Sequence, residues 1–81
     1  MRVQLTNDYN TPFALSNDFK EVPLFLADLE EECVTVEDML NTINEYSMYR
    51  NWSIKRKYTK KIIFDSKDAL GNVHYLILRS E

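Results

Sequence analysis

The clearest pattern along the chain is a helical stripe of apolar residues in the middle of the sequence. Val36, Met39, Leu40, Ile43 and Ser47 recur at three- and four-residue steps, with Tyr46 and Arg50 flanking them, while Glu37, Asp38, Asn41, Asn44 and Glu45 fall on the opposite side. That spacing puts one face of an α-helix against a core. Thr35 followed by Glu37 and Asp38 is an acidic variant of the capping box: the hydroxyl takes a free amide, and the carboxylates suit the positive helix end. The pattern predicts a helix over about 36–49. Upstream, Phe19, Val22, Phe25, Leu26 and Leu29 form a second stripe, and Pro23 suits the first position of a helix. A helix over about 23–31 is predicted there, with a strand through 23–29 as the competing reading.

The rest of the chain follows the strand period. Val3 and Leu5 alternate with polar neighbours, which predicts a short N-terminal strand over 2–6. The stretch 7–18 is polar around Pro12, with Phe13 and Leu15 expected to pin it to the core. From Trp52 to Phe64 the even positions read Trp52, Ile54, Arg56, Tyr58, Lys60, Ile62 and Phe64. The odd positions read Ser53, Lys55, Lys57, Thr59, Lys61 and Ile63. Parity holds throughout and no Gly or Pro interrupts it, so one long strand over 52–64 is predicted.

Asp68-Ala69-Leu70-Gly71 then suits a type I turn closed by a left-handed glycine, leading into a C-terminal strand over 72–79. This turn sets Phe64 opposite Leu76, Ile62 opposite Leu78 and Ile63 opposite Ile77. Ile62, Phe64, Leu76 and Leu78 would face the core, extended by Trp52, Ile54 and Tyr58. The outer face would carry Lys61, Ile63, Asp65, Lys67, Val73, Tyr75, Ile77 and Arg79. The expected architecture is α+β: a small, mostly antiparallel sheet with both helices packed on one face.

Composition narrows this further. With 81 residues there is material for one hydrophobic core and one domain, 1–81. The first ten residues lack the apolar run of a signal peptide, and the longest apolar run, 23–27, is far too short to span a bilayer. Cys33 is the only cysteine, so no internal disulfide forms; a cytoplasmic protein that does not enter the membrane is expected. Scarce Ala and Gly beside abundant Asn, Lys, Ile and Tyr fits AT-rich coding, as in phage or mobile elements.

Charge changes the picture most. Residues 1–45 hold two basic groups against ten acids, a balance of −8, and residues 46–81 hold eight against three, a balance of +5. The net charge of −3 therefore conceals a dipolar chain, which points to charged partners.

Catalytic chemistry finds little support. A nucleophile needs a base in reach, and nothing in the spacing joins Cys33 to the only imidazole, His74. One His and one Cys fall short of a zinc ligand set, and Glu30-Glu31-Glu32 lacks the turn of a calcium loop. A phosphate-cradling loop needs several glycines, and Gly71 stands alone. No catalytic residue, metal or cofactor is expected. Two binding surfaces remain.

Asp28, Glu30, Glu31, Glu32, Glu37, Asp38 and Glu45 cluster on or between the helices. Such an array can occupy the basic groove of a protein partner, as small inhibitors of nucleic-acid-handling enzymes do; the bland reading is a solvated helix surface. Lys55, Lys57, Lys61, Ile63, Tyr75, Ile77 and Arg79 make the second surface. Cations interleaved with rings suit single-stranded nucleic acid, and the apolar members suit a homodimer. The bland reading is that lysines keep a sheet edge soluble. With a pI near 5.1, the sequence favours a non-catalytic interaction protein with a protein partner, and nucleic acid is the alternative.

Overall fold

A computed structural model describes residues 3–6, as backbone, and residues 18–80. The elements run β1 (Val3–Thr6), α1 (Val22–Glu31), α2 (Val36–Tyr46), β2 (Ser53–Lys57), β3 (Lys61–Lys67) and β4 (Val73–Ser80). The strands form one four-stranded antiparallel sheet in the order β1-β4-β3-β2. The protein is therefore a small α+β fold, as the periodicity predicts. The expected anchoring of 7–18 by Phe13 and Leu15 lies outside the described residues.

Each helix starts where its local chemistry provides for it. Thr35 accepts from the Asp38 amide at 3.1 Å, while the Asp38 carboxylate accepts from the amides of Val34 and Thr35, both at 3.2 Å. The two-way box satisfies amides that have no partner within the helix. α1 has no side-chain cap, but Pro23 lies in its first turn. Glu21, at φ 48°, holds the left-handed conformation that brings the chain into that turn. The competing strand over 23–29 is thus overturned. α2 stops at Tyr46, three residues before the end expected from spacing. There the backbone pairs with segment 18–20 instead: Lys20 N donates to Tyr46 O at 3.0 Å and Met48 N to Asp18 O at 2.9 Å. An Arg50–Asp18 ion pair at 2.9 Å closes the same clasp.

One core joins the layers. Phe19, Phe25 and Leu29 from the α1 side, Met39, Ile43 and Tyr46 from α2, and Trp52, Ile62, Phe64, Leu76 and Leu78 from the sheet side are all buried together. Phe19 stacks on Phe25 at 4.7 Å between ring centroids and on Trp52 at 6.1 Å. Tyr46, which the stripe puts on its flank, is central, with its hydroxyl donating to the Asp28 carboxylate at 2.5 Å.

The β3–β4 register agrees with the spacing at every pair it fixes: Phe64 opposite Leu76, Ile62 opposite Leu78 and Ile63 opposite Ile77. Asp68 organises the turn, accepting at 2.9 Å from both Leu70 N and Asn72 N. Gly71 closes it at φ 87°, a conformation costly for any residue with a Cβ.

The single strand over 52–64 does not exist. The chain reverses at 58–60, with Tyr58 N donating to Lys61 O at 2.8 Å, and β2 runs back along β3. Length argues against it: thirteen residues is well beyond the usual strand of about 5 to 6 residues. Alternation survives the reversal because a second irregularity accompanies it. Ile54 pairs with Phe64 but Arg56 pairs with Ile63, so Lys55 is an extra residue in a β-bulge. Past the bulge every side chain of β2 changes face.

Candidate functional site

The outer face of the sheet, turned away from both helices, carries the most distinctive chemistry. Cross-strand partners share a face, so the register assigns its members: Arg56 beside Ile63 and Ile77, Asp65 beside Tyr75, and Lys61 beside Arg79. Lys55, Ile63, Tyr75 and Ile77 line a shallow apolar depression there. No described element covers it, and Ile63, Tyr75 and Ile77 are half-buried.

Cations meet rings at two places on this face. The Lys55 ammonium lies 4.7 Å from the centre of the Tyr75 ring and donates to its hydroxyl at 3.2 Å. The Arg56 guanidinium lies 6.0 Å from the centre of Tyr58 and donates to its hydroxyl at 3.3 Å. Lys61 approaches the same ring at 5.0 Å. The Arg56 hydrogen bond, aided by the positive charges of Arg56 and Lys61, holds the Tyr58 hydroxyl below the usual phenol range.

The sequence-derived list therefore needs two corrections. Lys57 pairs with Ile62 and lies on the helix side of β2, beside Met39, so it leaves the outer surface. Arg56, assigned by parity to the inner face, joins the outer one, and Tyr58, past the end of β2 at the rim of the sheet, lays its ring against Arg56 and Lys61. The bulge at Lys55 produces the first exchange, and the turn at 58–60 frees Tyr58 from the strand. Strand length was the signal that could have found both. Lys55, Lys61, Ile63, Tyr75, Ile77 and Arg79 stand where the hairpin register puts them.

The acidic set divides. Asp28 is half-buried and serves Tyr46, whose hydroxyl is pushed up to about 12 chiefly by that hydrogen bond. Asp38 is engaged in the capping box, and the backbone amides of Thr35 and then Val34 hold its carboxyl below the usual range. Glu30 is half-buried, while Glu31, Glu32, Glu37 and Glu45 are exposed.

The reactive residue types are apart. Cys33 lies in the link between the helices, its thiol 3.3 Å from the Thr42 hydroxyl. His74 meets the Asp68 carboxylate at 2.9 Å beside the β3–β4 turn. That contact, foremost among several hydrogen bonds, lowers the Asp68 carboxyl to about 2. Ser66 faces His74 across the ladder, but its hydroxyl is buried and makes no hydrogen bond to the imidazole. Serine, histidine and aspartate are neighbours there without the nucleophile-to-base contact that acyl transfer needs. Among the described residues no group of three or more His, Cys, Asp or Glu could hold a metal ion, and no helix is long and apolar enough to cross a membrane.

The chain matches no family model, no curated protein and no solved structure. The functional reading rests on the geometry alone.

Proposed function

We propose that the chain is a non-catalytic interaction domain whose working surface is the outer face of the sheet, turned toward an anionic macromolecule. The observation that carries this reading is the bulge at Lys55, which lets two successive cations, Lys55 and Arg56, share one face with Tyr58, Tyr75, Ile63 and Ile77. A β-strand in regular register would divide Lys55 and Arg56 between its two faces. Bulges re-aim side chains in this way, often beside functional sites. An uncovered apolar patch rimmed by cations is also what an interface for a charged partner needs.

A second reading has the exposed carboxylates Glu31, Glu32, Glu37 and Glu45 meeting the basic groove of a protein partner. Their exposure supports it, as does the separation of charge along the chain. It fits a phage-type inhibitor of a nucleic-acid-handling enzyme. It is the weaker of the two because Asp28 and Asp38 are already committed to folding contacts.

The two readings separate on an immobilised polyanion such as heparin at low ionic strength. A Lys55→Ala/Arg56→Ala/Lys61→Ala variant is expected to lose retention, and a Glu31→Gln/Glu37→Gln/Glu45→Gln variant is expected to keep it. Equal retention of the cation-depleted variant and the unmodified chain refutes the outer face as the working surface.

A further inference from the structure

We infer that the anionic macromolecule is single-stranded nucleic acid, with bases lying on Tyr75 and Tyr58 and phosphates meeting Lys55, Arg56 and Lys61. This rests on the outer-face reading above and specifies its partner. The pairing of rings with cations supports this first. Each of these rings has a cation against it, Lys55 at the half-buried Tyr75 and both Arg56 and Lys61 at the exposed Tyr58. A nucleotide joins a flat π-face to a charge, so a ring with a cation at its edge meets both halves at once. An acidic protein surface would use the cations and leave the rings idle.

Shape gives the second argument. The face is a flat sheet with no helix standing above it among the described residues. A ring lying in a sheet cannot reach into a groove, so it can meet a base only when that base is unpaired. Four strands at a spacing of about 4.8 Å give a face roughly 14 Å across. That is room for a short run, at the lower end of the about 4 to 16 nucleotides such surfaces cover.

Net charge is the obvious objection, since the chain carries −3 overall. Six of its thirteen acids, Asp28, Glu30, Glu31, Glu37, Asp38 and Glu45, lie in the helices, whose apolar residues share the core on the other side of the sheet, and Glu21 and Glu32 flank α1. Packed layers lie about 10 Å apart, and the screening length at 0.1 M salt is also about 10 Å. A strand on the outer face therefore feels Lys55, Arg56 and Lys61 first, with Asp65 the one acid that the register places among them. The same dipole orients an approaching polyanion toward the sheet.

The test is fluorescence anisotropy of the full chain with labelled oligo(U), oligo(dT) and a duplex of equal length, over a salt series. Both single strands are expected to bind, and the duplex much more weakly; a preference between the two strands tells RNA from DNA. Three phosphate contacts imply a log–log salt slope of about −2, so affinity should fall about 20-fold from 50 to 200 mM salt. Arg56→Ala should weaken every sequence and flatten the slope by about 0.7. Tyr75→Leu should cost about tenfold or more with the slope unchanged, while Tyr75→Phe, which keeps the ring, should bind normally.

Melting curves for each variant separate lost binding from lost folding. Absence of binding at the lowest salt, equal binding of duplex, or a Tyr75→Leu variant that folds and binds as the parent does would each overturn the inference. Heparin retention that depends on Lys55, Arg56 and Lys61 without oligonucleotide binding sinks this inference and leaves the outer-face reading standing. Loss of both sinks the two together. Sedimentation at the same concentration decides for a second copy instead if the chain self-associates through Tyr75 and ignores oligonucleotides.

Discussion

Tyr46 and Asp68 show how single ionisable groups hold this molecule in one arrangement. The Tyr46 hydroxyl stays protonated to about 12 because Asp28 accepts its proton in a hydrogen bond. A raised folded-state pKa favours the protonated form, so this contribution to stability is complete below pH 10 and disappears as the pH climbs through about 12. The urea midpoint should therefore drop across that interval, and Tyr46→Phe should remove the drop while lowering the midpoint at neutral pH. In an alkaline absorbance titration Tyr58 should ionise below the ordinary phenol value of 10. Asp68 has the opposite sign. Its carboxyl is depressed from 3.8 to about 2, so its contribution is complete above pH 4 and lost as the pH falls toward 2. Asp68→Asn should flatten the acid limb of a stability-against-pH curve; an unchanged limb would mean the His74 contact contributes nothing in solution.

Among the elements, the strands separate what spacing can reveal from what it cannot. The β3–β4 hairpin was legible because Gly71 and Asp68 sit three positions apart at its tip, and the turn counts out every partner from there. The cap of α2 was legible for the same reason, since Thr35 and Asp38 act across one turn. β2 was not. A bulge adds one residue and a reversal resets direction, and together they leave an alternating pattern that a straight strand would also give. The end of α2 was also hidden, because Ser47 is drawn out of the helix by Phe19, distant in sequence. The candidate site inherits these limits: residues placed by the β3–β4 turn are where expected, and Arg56, Lys57 and Tyr58 are not. Deleting Lys55 offers a direct check on the bulge. The remaining residues would pair in regular register, so the variant should melt close to the parent, whereas deleting Ile63 would turn Ile62 or Phe64 outward and unfold the chain.

At the scale of the whole molecule, stability is narrow. A folded chain of 81 residues holds roughly 4 to 12 kcal/mol. Ile43 is fully buried in the shared core, and Ile43→Ala at such a position costs about 2 to 5 kcal/mol. Chemical denaturation should show a midpoint lowered by about a sixth or more, and a smaller loss would mean that the helices close over the cavity. Division of labour follows from the same economy of size. With one layer of helices to bury Ile62, Phe64, Leu76 and Leu78, the side of the sheet that carries Ile63, Tyr75 and Ile77 is left without a cover among the described residues. Sheet order also has a kinetic meaning. β1 lies against β4, so, among the described residues, residues 3–6 pair with residues 77–80. On the ribosome, β1 must wait through the synthesis of residues 7–76 before its partner strand exists, and the helices and the β2–β3 hairpin have the opportunity to form ahead of it.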